Sequence, residues 1–280
     1  MYKQKIGISV GKSYDLKTEE LLQIMKNAGF DAISPVWKSE AELAETVRIA
    51  AELGLEVQSL HAPFAKAANM WSRDEAVCGP AKTELKEVID GCARLHIPIV
   101  VAHVWVGFDY SFDVNSLYYD NFEEVVEYAR ERGVKMAFEN TEGIEYLRAL
   151  MAHFKGNETV GFCWDSGHEM CYNYSEDLLG ELGDRLMMTH INDNLGIRRF
   201  DGKIHWTDDL HLLPFDGIAD WDENIQRLRT SRRLPILNFE LSVISKPNRH
   251  ENDIYANMDP TQYYTEAYKR ACRIAYRYSK

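Results

Sequence analysis

Histidine and carboxylate side chains recur in this sequence at one kind of place, the end of a short apolar run: His61, His103, Glu139, Asp165 with His168, His190 and Glu240. Asp209 and His211 follow in the segment after the seventh such run. Carboxylate oxygens mixed with imidazole nitrogens suit a divalent metal ion, Mn²⁺ or Zn²⁺ first, with Co²⁺, Fe²⁺ or Mg²⁺ also compatible. No cysteine is expected near these positions, which argues against a thiolate structural site. Glu139 in Ala137-Phe138-Glu139-Asn140 and Glu240 in Asn238-Phe239-Glu240-Leu241 repeat one pattern, a carboxylate directly after an aromatic. Burying such a charge without a partner is costly, so a cation is expected beside each. A salt bridge to Arg or Lys is the structural alternative, but the neighbouring run ends supply His and Asp instead.

These residues can act together only if the runs are strands that end on one side. Short β-rich runs alternate with helical patterns throughout: Ile6 to Val10, Ala32 to Trp37, Val57 to Phe64, Ile99 to Trp105, Met136 to Asn140, Val160 to Asp165, Met187 to Asn192 and Ile236 to Leu241. Between them the apolar spacing turns helical, as at Leu85, Val88, Ile89, Cys92 and Leu95. Ser39 followed by Glu42 reads as a capping box; Gly29, Gly54, Gly133 and Gly183 follow last turns; Asp259-Pro260 opens the final helix. Strand-helix alternation without a linker, low-complexity tract or close repeat predicts a parallel sheet, and eight units predict closure into a single-domain α/β (β/α)₈ barrel over 1–280. A doubly wound open sheet is the alternative. In a barrel all nine candidate donors share the C-terminal mouth, where barrel enzymes do their chemistry.

Other residues are sorted by the same rule. His96, His153, His205 and His250 are read as ordinary histidines, because no strand end places them at the mouth. Asp165-Ser166-Gly167-His168 can also serve as an N-cap and turn, and Asp193 and Asn194 as turn residues. Trp37, Trp105, Trp164 and, in mouth-side loops, Trp71 and Trp206 offer apolar walls suited to the C–H side of a sugar ring. Trp37, Trp105 and Asn192 are the candidate substrate contacts. Arg198, Arg199, Lys203, Lys246 and Arg249 lie in the last loops, where barrels often bind phosphate.

The balance of 45% hydrophobic and 27% charged residues excludes disorder. Met1-Tyr2-Lys3-Gln4-Lys5 runs straight into a strand pattern, and Ile97 to Phe108, the longest apolar run, is too short to span a bilayer. A cytoplasmic protein with no membrane partner is expected. The five cysteines are odd in number and lack a CxxC pair, so they are read as packing residues of a reducing compartment. A formal charge of −12 disfavours nucleic acid. Gly7-Ile8-Ser9-Val10-Gly11-Lys12 is no P-loop, and no dinucleotide fingerprint follows the first strand.

His61-Ala62-Pro63, Phe138-Glu139-Asn140, Trp164-Asp165-Ser166-Gly167-His168, His190-Ile191-Asn192-Asp193-Asn194 and Asp209-Leu210-His211 with Gly217-Ile218-Ala219-Asp220-Trp221 together resemble the xylose isomerase-like TIM barrel superfamily. Its members include sugar and sugar-phosphate isomerases and epimerases, inosose and dehydroshikimate dehydratases, and the barrel-type AP endonucleases. Resemblance to the ketose epimerases implies that Glu139, Asp165, His190 and Glu240 bind one metal, that His168 contacts substrate, and that both glutamates act as acid and base. Resemblance to the endonucleases implies that His61, His103, His168, Asp209 and His211 complete a three-metal zinc cluster. Two departures weigh against the latter: His211-Leu212-Leu213-Pro214-Phe215-Asp216-Gly217 replaces a glycine-glutamate-glycine turn, and no basic DNA-facing cluster is evident.

The expected activity is therefore metal-dependent isomerisation or epimerisation of a sugar or sugar phosphate through an enediolate, with Glu139 and Glu240 moving the proton. A β-hydroxy leaving group would turn the same chemistry into dehydration. Hydrolysis of abasic DNA and simple sugar binding without catalysis are the other readings. The expected partner is a small-molecule sugar, and a homo-oligomer stays open.

Overall fold

The computed structural model describes residues 4–11 and 14–280; Met1-Tyr2-Lys3 and Lys12, used in the sequence reading, lie outside the described residues. Within these, the strands are β1 (Lys5–Val10), β2 (Ala32–Pro35), β3 (Glu56–Val57), β4 (Leu60–His61), β5 (Ile99–His103), β6 (Lys135–Glu139), β7 (Val160–Asp165), β8 (Leu186–His190) and β9 (Ile236–Phe239). Parallel pairing runs β3-β2-β1-β9 in one sheet and β4-β5-β6-β7-β8 in the other. Single parallel bridges, Val36 to His61 and Ile191 to Phe239, join the sheets at both seams. The result is a (β/α)₈ barrel, with β3 and β4 the two halves of its third strand.

The sequence pattern treats Val57 to Phe64 as one strand, and here the structure differs. Val57 pairs with Ile33 of β2, whereas His61 pairs with Val101 of β5 and keeps a single bridge to Val36, so the ladder to β2 is interrupted at Gln58-Ser59. Ser59, Ser34, Asn238 and Ser9 side chains then link through buried hydrogen bonds of 3.0–3.2 Å. Several other strands stop a residue or two before the expected ends, because the last residues turn into the mouth loops.

The helices that follow the strands include α1 (Thr18–Ala28), α2 (Glu40–Leu53), α3 (Glu75–Arg94), α4 (Asp120–Glu131), α5 (Ile144–His153), the short α6 (Ser166–Cys171) and α7 (Leu178–Leu182), α8 (Trp221–Thr230), α9 (Asp253–Ala256) and α10 (Pro260–Ser279). Their ends follow local rules. The Ser39 side chain accepts the Glu42 N–H at 3.2 Å, and Asp259 accepts from Thr261 and Gln262 ahead of the Pro260 turn. Gly29 and Gly54 close α1 and α2 in the left-handed conformation. Gly183 departs from that expectation, with φ −60, because the chain runs on into a 3₁₀ turn. On α3, Leu85, Val88, Ile89 and Cys92 are buried as the spacing requires, and each large apolar side chain so buried contributes about 1.5–3 kcal/mol.

Pleat alternation then places the chemistry. Val100, Ala102, Phe138, Phe162 and Trp164 pack outward with the helices, while Val101, Ala137, Cys163 and Met188 form a separate inner cluster. Two residues beyond each inner residue come His103, Glu139, Asp165 and His190, which share that inner side.

Candidate metal centre

Strand register brings the donors side by side: His103 pairs with Glu139 across β5 and β6, and Asp165 with His190 across β7 and β8. The second pairing depends on an irregularity, since the ladder shifts from Phe162–Leu186 to Cys163–Met188 and so skips Met187. Glu240 lies one residue beyond β9, yet its N–H still donates to the Ile191 carbonyl at 3.2 Å.

Glu139 is fully buried, and its two oxygens face different imidazoles. Oε1 lies 2.8 Å from His190 Nδ1 and 3.5 Å from His168 Nδ1, while Oε2 lies 3.2 Å from the Nε2 atoms of both His61 and His103. Glu240 Oε2 is 3.0 Å from the same His190 Nδ1. Donor atoms of Glu139, Asp165, His190 and Glu240 all lie within 4.8 Å of one another. His61, His103 and Glu139 form a second group on the same criterion, and His168, Asp209 and His211 a third. In that third group His211 Nε2 is 2.8 Å and His168 Nε2 3.4 Å from Asp209 Oδ1, with Lys246 Nζ 2.9 Å from Oδ2. His211 has a left-handed backbone, φ 49, fixed where Ser242 N–H donates to its carbonyl at 2.9 Å.

The electrostatics of this ring favour a cation. Burial opposes the charge of Glu139, yet His190, His103 and His61 hold its carboxyl well below the usual range. Burial is likewise outweighed at Glu240 by His190 and His211, whereas at Asp165 burial prevails and pushes the carboxyl up. His168, although desolvated, is pushed up to about 10 by Asp165, Asp209 and Glu139. His103, by contrast, is lowered by its burial, and its Nδ1 has no hydrogen-bond partner among the described residues. No Arg or Lys is paired with Glu139, Asp165 or Glu240 among the described residues; the basic groups beside these carboxylates are imidazoles. The residues present thus fit a divalent metal with oxygen and nitrogen ligands.

Above the ring opens a cavity of about 400 Å³. Its apolar walls are Val36, Phe64, Val106, Phe108, Tyr172 and Trp206, and Phe64 stacks on His103 at 4.7 Å. Three expected substrate contacts lie elsewhere. Trp37 points outward, against Gly91 and Leu43 between the helices, because its neighbour Val36 takes the inward position. Trp105 stacks flat on Tyr146 at 4.2 Å behind the rim. Asn192 is fully buried and donates to both oxygens of Asp165 at 3.1 and 3.0 Å, so it orients that carboxylate. Trp164 and Trp71 are buried too, their indole N–H groups donating to Glu169 and to the Val104 carbonyl, which leaves Trp206 as the tryptophan in the wall.

Four further points differ from the sequence reading. A cysteine does approach the ring: Cys163 stands one pleat below Asp165 and falls within 4.8 Å of donor atoms of Glu139 and His190. Burial pushes its thiol up to about 12. His205 sits at the mouth side, near Phe108 and Trp206. Among the loop cations Lys246 reaches the cavity, whereas Arg249 pairs with Asp208 and Glu251, and Arg199 with Asp201. Asp193 is a buried anchor rather than a simple turn residue, since its carboxylate accepts the N–H groups of Asn194, Phe215 and Ala219 and the indole of Trp221.

Sequence reasoning missed Glu142 and Tyr172. Glu142 lines the cavity, accepts the Gly107 N–H at 2.8 Å, and has its carboxyl raised by burial. An acidic residue so soon after a strand end was the available signal for it. Tyr172 stacks on His168 and had none, because α6 alone sets its direction.

The family model described as xylose isomerase-like TIM barrel matches residues 22–256. The protein y4fM of Sinorhizobium fredii (strain NBRC 101917 / NGR234), itself described as uncharacterized, is 31% identical over 240 residues, 69% of this chain and 76% of its own. Among solved structures, the IOLI protein with a bound zinc atom superposes with a TM-score of 0.75 at 20% identity, covering 98% of this chain and 99% of that one. An L-ribulose 3-epimerase gives 0.72 at 17% identity, with 98% and 95% covered. The 3-keto-D-glucoside 4-epimerase YcjR from E. coli gives 0.70 at 16%, with 97% and 99% covered. At these identities the structures speak for the fold. The family match extends over most of the 280 residues, and the chain belongs to the xylose isomerase-like TIM barrel family.

Proposed function

We propose that this protein is a metal-dependent isomerase or epimerase of a sugar or sugar phosphate, with Glu139 and Glu240 as its acid and base. One observation carries the reading: the two glutamates come from non-adjacent strand ends, meet on the single nitrogen His190 Nδ1, and lie in one four-residue donor group at the floor of a sugar-sized cavity. The epimerases among the similar structures are named for sugar substrates, which supports the class.

Glu139, Asp165, His190 and Glu240 would hold the cation, Zn²⁺ or Mn²⁺ first. When bound, it supplies Lewis acidity that makes a C–H beside a carbonyl easier to ionise. The protein's own groups do the rest. One glutamate takes the proton from the carbon next to the carbonyl, and the other returns a proton on the opposite face for epimerisation or at the adjoining carbon for isomerisation. Asn192 fixes Asp165, and Tyr172 fixes the ring plane of His168, which faces substrate hydroxyls. Phe64 and Trp206 form apolar walls on the open side.

The test is isotope exchange on an accepted ketose in deuterated buffer. Wild type should wash deuterium into the carbon next to the carbonyl, while Glu139→Gln and Glu240→Gln should each lose about a hundredfold or more in turnover. Metal content should fall much less in these variants than in His190→Ala. Near-wild-type turnover in both glutamine variants would reduce the glutamates to structural ligands.

A second reading, hydrolysis of a phosphate ester, is favoured by one specific observation: the His61/His103/Glu139 and His168/Asp209/His211 groups adjoin the first, enough donors for three cations. Nicking of abasic duplex DNA decides between them. The charge of −12 opposes the counterion release that drives DNA binding, so no nicking at physiological salt is expected. Specific nicking would put the hydrolase first.

A further inference from the structure

A second cavity of about 660 Å³ adjoins the first, and Phe108 and Tyr172 line both. Tyr172 stacks on His168 with ring centroids 5.0 Å apart, and Phe108 meets the Tyr172 ring edge-on at 5.4 Å. Tyr110, Phe112, Tyr174 and His205 are further walls of this second space. None of these residues belongs to the three donor groups of the metal centre. Tyr174 is 58% exposed, and it and Ser175 both have left-handed backbone, φ 55 and 56. Two successive non-glycine residues in that region are strained, and such strain persists where the surroundings over-determine it. The Ser175 N–H donating to the Glu169 carbonyl at 2.8 Å is one such restraint.

We propose that this second cavity is a sugar subsite, and that the substrate is a ketose carrying a second pyranose unit. The inference rests on the sugar reading above and extends it from a monosaccharide to a glycoside. Aromatic side chains suit the C–H side of a pyranose, and Tyr110, Tyr174 and Phe108 line this space. Asp109, Glu145, Arg199 and Lys203 line the same space, giving acceptors and donors for hydroxyl groups. Arg199 is already held by Asp201 at 2.7 Å, and the two carboxylates oppose an anion, so a neutral hydroxylated ring fits better than a phosphate. The shared walls put the reacting ketose among Glu139, Glu240 and His168 and the second ring beyond Tyr172.

The experiment compares D-fructose with glucosyl-fructoses of different linkage, namely turanose, maltulose and palatinose, by calorimetry on the metal-loaded full chain. At least one disaccharide should bind about tenfold tighter than D-fructose. Tyr174→Ala should remove that gain and leave D-fructose binding unchanged, and Lys203→Ala, on a separate loop, should reduce it in the same selective way. No gain for any disaccharide, equal losses for D-fructose and disaccharides in both variants, or a gain confined to D-fructose 6-phosphate would each overturn the subsite. Deuterium exchange keeps the two readings apart. Exchange on D-fructose without a disaccharide gain removes the subsite alone, whereas no binding and no exchange with any of these sugars removes the isomerase reading as well.

Discussion

Asn192 carries no charge, yet it holds one of the candidate metal ligands in place. Its amide N–H₂ spans both oxygens of Asp165, and its own N–H donates to Ser166 Oγ at 2.9 Å, tying the end of β8 to the first turn of α6. Hydrogen-bonded partners of metal ligands commonly matter to affinity almost as much as the ligands. Asn192→Ala should therefore weaken metal binding by about 10–100-fold with little change in fold. Competition against a chelator measures this. Unchanged metal affinity, with weaker sugar binding instead, would return Asn192 to the role of a substrate contact.

Elements set these residues in place through close packing, and α6 is the tightest case. A Cβ built on Gly167 would stand 2.0 Å from Asn192 Oδ1. Gly167→Ala should force the amide away from Asp165, costing about 1–3 kcal/mol of stability and lowering bound metal. Urea unfolding together with elemental analysis checks both parts, and full metal retention would show that the turn yields without moving Asn192. The long segment after β8 is anchored in turn by Asp193. Asp193→Ala would leave three backbone N–H groups and one indole N–H without their acceptor, a loss of about 3 kcal/mol or more. That cost should appear as a lower urea midpoint, with Asp209 and His211 displaced along with the segment. An unchanged midpoint would mean that water replaces the carboxylate.

At the scale of the whole molecule, a barrel that gathers carboxylates at one mouth is stabilised by whatever cation they bind. Removal of metal by chelator should lower the thermal midpoint, and its return at a hundred times Kd should restore about 2.7 kcal/mol. For a chain of this size that corresponds to a rise of about 5 °C. Differential scanning calorimetry with and without Zn²⁺ or Mn²⁺ tests this, and a midpoint indifferent to every divalent ion would remove the cation from the native state. No helix among the described residues is long and apolar enough to cross a membrane, and the five cysteines form no disulfide.

The order of strands and helices, the capped helix ends and the positions of Glu139, Asp165, His190 and Glu240 were legible in sequence because each follows from local rules. Apolar period, capping residue and carboxylate after an aromatic all act within a few residues of one another. The roles of Trp37, Trp105 and Asn192 were not legible. Which face of a short terminal segment turns inward depends on the neighbouring strand's register, and a one-residue step moves a side chain from cavity to helix layer. Cys163 came beneath the donors for the same reason, since only the skipped Met187 in the β7–β8 ladder fixes which residues of β7 stand beside His190. Sequence alone set carboxylates and imidazoles at strand ends; tertiary structure decided which of them share one cavity, because contacts between strand ends far apart in the chain exist only once the barrel has closed.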